Sequence, residues 1–424
     1  MSVGSRRHSA RAGDASDPVR VAVVSQQYPP EMGGNASRVG DTARQLAQEG
    51  VAVSVVAPPL SYPPETYPRS WRRHDRTSDG EIDVHRLWAW QPSRIDPNPL
   101  ERLAYYFLFA LHATLWLLYH RRRFDAVVCT TPPVFTGIPG LVFGELTRKP
   151  LVVDVGDLWI DAAAGLGFIR ESSLSTRLSR RYEHLLLLRA DRILTTTDEM
   201  SSLLERAHGP AIAQRFLVAP NAVDVTRFDP NRGSGDDGRT IVYTGIFGHA
   251  QDLEACVRAM ALLDHDATLK LVGDGDTRPR LERLVAELGV EDRVEIHGPV
   301  ERDAVPELLA SAAIGVAPLK DTPGLRYAVP LKTYEYMASG LPVVGTDMGA
   351  FGDLIEASEG GLAVENSPEA LAAAFDELLA DPDRRERLGR QAREHVEQHY
   401  DRRVLGERLA EMLRDLVETT GGRR

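Results

Sequence analysis

One short scheme, met twice along the 424 residues, limits the fold more than any other feature. Residues 19–25, Val-Arg-Val-Ala-Val-Val-Ser, are mostly apolar; a turn carrying Pro29, Pro30, Gly33 and Gly34 follows, and then a helical pattern over 36–49. Residues 240–244, Thr-Ile-Val-Tyr-Thr, restart the scheme, with Gly245-Ile-Phe-Gly248 as the turn and a helix predicted over 253–263. An apolar run of this length reads as a strand covered on both faces, and strand, glycine turn and helix in succession open a mononucleotide-type α/β unit. Paired glycines let the backbone approach a ligand closely, although a plain tight loop uses them too. Neither turn is G-x-G-x-x-G, so the dinucleotide fingerprint is absent. Strands and helices alternate at regular spacing after both openings, which predicts an α/β chain of two doubly wound domains with a cleft between them.

The expected boundaries follow from composition. Residues 1–18, rich in Ser, Arg, Gly and Asp, read as a disordered tail, and 19–220 as the first domain. The stretch 221–238, rich in Asp, Gly and Asn, reads as the linker, and 239–395 as the second domain. A long amphipathic pattern runs from Pro382 to about Val417, so residues 396–424 are expected as a C-terminal helix that packs back across the junction. Fifty basic against 61 acidic residues leave a net charge of −11, which disfavours a general nucleic-acid binder. Cys129 and Cys256 each lie in an apolar run and form no paired motif, which points to reduced thiols and an intracellular chain.

Residues 100–120 are the most apolar segment, and Arg121, Arg122 and Arg123 follow at once. The apolar stretch 103–119 is at the short limit for a membrane span and contains His112. Its aromatic residues and basic end suit a helix lying in a bilayer interface against anionic headgroups; a buried core helix is the competing reading. The partner expected for 103–123 is a membrane surface, with the chain peripheral on the inner face of the cell membrane.

Candidate site residues cluster where strands end. Pro330 suits a helix start and Gly340 with Pro342 a stop, which predicts a helix over 330–339 ahead of a strand at 342–346. Lys332 and Glu335, three apart, share one face of it. A cation beside free helix N–H groups suits a phosphate, and a carboxylate one turn on suits ribose hydroxyls; an ordinary surface ion pair has the same spacing. The strand predicted over 150–155 delivers Asp154, Asp157, Trp159 and Asp161 to the sheet edge. Asp157 is the candidate to orient or deprotonate an acceptor hydroxyl, with a helix N-cap as the alternative. Asp274-Gly-Asp276 could hold a divalent cation, but its glycines and the helix after it favour a turn, and no metal is assigned.

Taken in order, these residues resemble the retaining glycosyltransferases of family 4, which have the GT-B fold of two facing Rossmann-like domains. The likeness rests on Gly33-Gly34, Pro220-Asn-Ala-Val-Asp224 with Phe228, Val272-Gly-Asp-Gly275, residues 294–298 and Glu335-Tyr-Met-Ala-Ser-Gly-Leu-Pro-Val-Val344. The family's clamp is a pair of glutamates eight apart; Glu335 matches the second, while the first falls on Tyr327. Pro330-Leu-Lys332-Thr-Tyr-Glu335 and Asp157-Leu-Trp159 are similar to a subgroup, the L-fucosamine transferases of surface-polysaccharide assembly. The resemblance implies transfer of a sugar from a nucleotide-diphosphate donor to a glycan or lipid-linked acceptor, with retention and without a metal or further cofactor. It implies Lys332 on the diphosphate with Arg326 assisting, and Gly245 and Gly248 offering N–H groups to the same phosphates. It also implies Glu335 on the ribose, and His297, Gly298 and Val300 around the base. Two further readings are a nucleotide-sugar 2-epimerase of the same fold and an inactive membrane-attached partner.

Overall fold

A computed structural model of the chain describes residues 17–31, 33–61, 67–92, 99–158, 160, 172–232 and 238–421. Nearly all of the expected tail, Trp159, Asp161 and the 233–237 part of the expected linker lie outside the described residues.

The first sheet holds eight strands: β1 (Arg20–Val24), β2 (Ala52–Ala57), β3 (His74–Asp79), β4 (Ile82–Leu87), β5 (Ala126–Thr131), β6 (Leu151–Val155), β7 (Arg192–Thr195) and β8 (Phe216–Val218). Their order is β3-β4-β2-β1-β5-β6-β7-β8, parallel except for β3 against β4. The second holds β9 (Thr240–Thr244), β10 (Thr268–Val272), β11 (Val294–His297), β12 (Ile314–Ala317), β13 (Val343–Thr346) and β14 (Gly361–Val364). Its order is β11-β10-β9-β12-β13-β14, and every pair is parallel. In each sheet the order reverses beside the first strand, between β1 and β5 and between β9 and β12. The two glycine turns therefore leave the sheets at the crevices where open α/β sheets bind ligands.

Helices cover both faces of both sheets, as parallel sheets require. On the first sheet, helices Pro99–Tyr119, Gly137–Thr147 and Leu174–Arg189 bury Phe109, Leu117, Phe143 and Leu187 on one face. Helix Gly34–Gln48 buries Val39, Ala43 and Leu46 on the other, and the last helix of the chain, Arg402–Gly421, adds Leu409, Ala410 and Leu413 to the same layer. The C-terminal helix thus completes the core of the first domain. Gly406 permits this, since a Cβ there would lie 1.9 Å from Gln45 Cγ.

Three expectations need correction. Residues 62–79, which read in the sequence as a polar, Pro-containing excursion, end in strand β3, an edge strand that is largely exposed and so carries no apolar period. The single helix expected from Pro382 onward is two, Pro382–His399 and Arg402–Gly421. Between them the chain pairs with the interdomain segment: Val223 N donates to Tyr400 O at 3.0 Å, and Arg402 N to Val223 O at 3.0 Å. The amphipathic period runs through both helices, so nothing in it marks the break. Helix Pro99–Tyr119, finally, divides lengthwise between the two readings offered for it. Tyr105, Phe109, Ala113 and Trp116 are core, while Leu103, Phe107, Leu111, Leu115 and Tyr119 stand exposed at four-residue steps along the other side. Among the described residues no helix is long and apolar enough to cross a membrane.

Charge joins the two halves of the chain. Asp41, on helix Gly34–Gln48 and only 5% exposed, accepts from Arg402 Nη2 at 2.7 Å, Arg44 Nη2 at 2.8 Å and Arg302 Nη2 at 3.4 Å. Removing the carboxylate strands these guanidinium groups, so Asp41→Ala is expected to cost about 3–5 kcal/mol. Urea unfolding checks this; a loss below about 1 kcal/mol would show that the junction does not depend on Asp41.

Candidate active site

Helix Leu331–Ala338 follows β12 and starts at Pro330, an extended N-cap residue (φ −61°, ψ 135°) without a side-chain cap. Pro330 has no N–H to lose, and the first helical N–H groups stay uncapped. Lys332, in the first turn, lays its Nζ 3.5 Å from the ring centroid of Tyr243 on β9. The turn after β9 wraps the same ammonium: Gly245 has φ +129°, and a Cβ there would stand 3.2 Å from Lys332 Nζ. Gly273 (φ +151°) backs that turn, and its Cβ would fall 1.9 Å from Gly245 O. Glycine is required at both positions by backbone conformation and by space. The turn continues through Gly248, whose carbonyl accepts from Gln251 N at 3.1 Å, into helix Leu253–Leu262.

The first domain meets this turn with its own. A Cβ on Gly33 (φ +129°) would find Ile246 Cδ1 at 3.9 Å, so the loops after β1 and β9 face each other across the cleft. Gly34 opens its helix with no side-chain cap and no acidic residue in the first turn. Among the described residues Lys332 forms no ion pair. Burial pulls its pKa well below the usual lysine value, and the nearby Glu335 carboxyl offsets part of that.

Glu335 is 6% exposed and accepts from Arg302 Nη2 at 3.1 Å. Burial pushes its pKa up, and Arg302 and Arg402 pull it back down. Through Arg302, which also reaches Asp41, Glu335 is tied to the first domain. Glu335 thus meets the first domain's charge cluster while Lys332 lies against β9 and its turn, and the two form no ion pair with each other.

Asp157 lies in the loop after β6, open to solvent, and accepts from the Tyr327 hydroxyl. The same hydroxyl oxygen accepts from Leu158 N at 2.9 Å. Desolvation by the surrounding protein raises the Asp157 pKa from its ordinary value, and the Tyr327 and Leu158 hydrogen bonds pull it back down. The chain just after Asp157, where an N-cap role would show, lies outside the described residues apart from Leu158 and Ile160. Asp154, from the same strand, is 5% exposed and bound to Arg38 Nη2 at 2.9 Å, which makes it structural.

His297, Gly298 and Val300 are exposed at the end of edge strand β11, and His297 O accepts from Gly273 N at 3.3 Å, linking that edge to the glycine turn. Arg326 points its exposed guanidinium to Asp321 at 3.6 Å. Asp274 folds onto its own loop, its carboxylate accepting from Gly275 N at 2.9 Å. The structure thus brings Gly245 against Lys332, Gly33 against the Gly245–Gly248 turn, Glu335 against Arg302 and Tyr327 against Asp157. Sequence reasoning missed Arg302, Arg38, Asp41 and Arg402. Arg302 sits in an irregular loop 261 residues from Asp41, and no periodicity or motif flags such a pair.

Comparison with known proteins agrees with this geometry. Residues 33–222 match the family described as glycosyl transferase 4-like domain, and residues 224–395 match glycosyl transferases group 1. A putative colanic acid biosynthesis glycosyl transferase, WcaI of Escherichia coli, is 27% identical over 312 residues, covering 69% of this chain and 74% of its own. A D-inositol 3-phosphate glycosyltransferase of Nocardiopsis dassonvillei is 26% identical over 424 residues, covering 89% and 90%. Among solved structures, sucrose-phosphate synthase from Thermosynechococcus elongatus superposes with a TM-score of 0.75 at 21% identity, covering 95% of this chain and 100% of that one. Anabaena HepE in complex with UDP and glucose gives 0.68 at 16% identity, covering 94% and 100%. Two parallel-sheet domains facing across a cleft, with these matches on either side of residue 223, make this chain a GT-B glycosyltransferase that joins a glycosyl transferase 4-like domain to a group 1 domain.

Proposed function

We propose that the protein transfers a sugar from a nucleotide-diphosphate donor, held by the second domain, to an acceptor hydroxyl presented by the first, with retention at the anomeric carbon. The observation that carries this reading is the desolvated Lys332 amine beside the Gly245 turn, with no ion-pair partner among the described residues. A diphosphate supplies that partner. As the sugar leaves, negative charge grows on that diphosphate, and Lys332 with the N–H groups of the Gly245–Gly248 turn and of the helix start stabilises it in place. The chemistry then needs no metal. Glu335 binds the ribose, Arg326 assists at the phosphates, and His297, Gly298 and Val300 flank the base. Asp157 orients the acceptor hydroxyl or takes its proton, as a carboxylate at the end of a parallel strand can. Facing glycine loops let the domains close and exclude water, which keeps hydrolysis from competing with transfer.

The acceptor is a lipid-linked or growing glycan at the inner face of the cell membrane. Likeness to the putative colanic acid glycosyl transferase supports polysaccharide assembly, and the Pro330-x-Lys332-x-x-Glu335 segment supports a donor of the L-fucosamine type. Helix Pro99–Tyr119 supplies the membrane contact. Its exposed stripe is Leu103, Phe107, Leu111 and Leu115, with Arg121, Arg122 and Arg123 at the helix end for anionic headgroups.

Lys332→Ala is expected to lower turnover about 100-fold, roughly 3 kcal/mol of transition-state stabilisation; near-normal turnover would remove Lys332 from the reaction. Labelled nucleotide sugars incubated with membrane extract should put label into lipid, whereas a changed free sugar would identify an epimerase and no change an inert partner. The triple variant Phe107→Ser, Leu111→Ser and Leu115→Ser should lose binding to vesicles containing anionic lipid at an unchanged melting temperature, because all three side chains are exposed. Full retention on vesicles would show that the stripe does not bind membrane.

A further inference from the structure

Tyr327 occupies the position where the family pattern has its first glutamate, yet it is built into the opposite domain. It follows β12 of the second domain, is 2% exposed, and its ring belongs to the first domain's core cluster with Leu158, Leu187 and Met200. Its hydroxyl donates to Asp157 and accepts from Leu158 N at 2.9 Å. A phenol has one proton to give, so donating to Asp157 while accepting a backbone N–H satisfies it on both sides and suits an ionised carboxylate partner. The flanking backbone is held as well: Thr197 Oγ1 donates to Tyr327 O at 2.9 Å, and Asn221 Nδ2 to Val329 O at 3.2 Å. Lys332 begins its helix turn only five residues further on.

We infer that Tyr327 is a positioning residue: its hydroxyl, carried by the second domain, holds the Asp157 carboxylate of the first in its working orientation, so the acceptor-side carboxylate is set only where the two domains meet. This rests on the role proposed above for Asp157. Two features that look separate in the sequence then have one cause. A glutamate at 327 would bring a second negative charge against Asp157, and two carboxylates sharing a site cannot both stay ionised near neutral pH. A tyrosine reaches the same place with a proton to offer. The segment 327–332 also becomes one piece of chain that fixes the acceptor-side carboxylate at one end and the donor-side ammonium at the other.

Tyr327→Phe tests this, because it keeps the ring in the core and removes only the hydroxyl. Asp157 is labelled with ¹³C at its carboxyl, assigned by comparison with Asp157→Asn, and titrated by NMR in the substrate-free protein. The Asp157 titration should move to higher pH in Tyr327→Phe, since the lost hydrogen bond favoured the charged form. In the turnover assay with a panel of UDP-, GDP- and dTDP-sugars and membrane extract, kcat should fall about 10-fold or more with donor KM little changed. The acidic limb of the pH profile should move in the same direction as the titration. Tyr327→Phe in the Asp157→Asn background should add no further loss, the mark of two groups acting as a unit. An unmoved Asp157 titration would overturn the inference, as would an unchanged kcat and pH profile in Tyr327→Phe. If Asp157→Asn alone left turnover intact, the role of Asp157 would fail; if Asp157→Asn were inactive and Tyr327→Phe fully active, only the positioning role would. A melting temperature on each variant separates lost folding from lost function, and the difference between Tyr327→Leu and Tyr327→Phe, neither with a hydroxyl, gives the packing contribution of the ring.

Discussion

The architecture depends on a charge cluster centred on Asp41. A carboxylate taken out of water is costly, and the cost is recovered only when well-placed donors surround it. Here they come from three places along the chain: Arg44 from the same helix, Arg402 from the start of the last helix and Arg302 from the second domain. Arg402 also donates to Ala222 O at 2.9 Å, and Arg38, one turn before Asp41, binds Asp154, Asn221 and Ala219 O. Apolar layers hold each domain together, but non-directional burial would tolerate many relative orientations of the two. A buried network with defined partners selects one.

The cleft inherits its geometry from that network. Arg302 passes from Asp41 to Glu335, so the carboxylate that faces the groove is held by the same guanidinium that ties the domains. Among the described residues Lys332 has no such ion-pair partner, and its desolvated amine lies against the glycine turn after β9. Under the function proposed above, that amine is where the donor's diphosphate would bind.

The proposed membrane contact and the proposed acceptor-side carboxylate both belong to the first domain and use different residues. The inner side of helix Pro99–Tyr119 belongs to the core layer that receives the Tyr327 ring, and its outer side carries the exposed apolar stripe. An acceptor held at a lipid surface would thus lie against the same domain that presents Asp157, with no requirement for a spanning segment.

Much of this was legible in the residues. Two strand–glycine–helix openings, apolar runs of strand length and the punctuation of Pro330 and Gly340 determined an α/β chain of two parallel-sheet domains. They also picked out Lys332, Glu335, Asp157 and the glycines of both turns, because backbone conformation and helix spacing are local properties written in short stretches of chain. Edge strand β3 and the break at Tyr400-Asp401 were not legible: the first is polar because water covers it, and the second is fixed by pairing with Val223, far off in the chain. Which face of helix Pro99–Tyr119 is core could not be read from a segment apolar all round; only its neighbours decide that. The same holds for Arg302 on Glu335 and for Tyr327 on Asp157. Those contacts join residues tens to hundreds of positions apart, and their energy arises from burial and distance, which exist only once the chain has closed on itself.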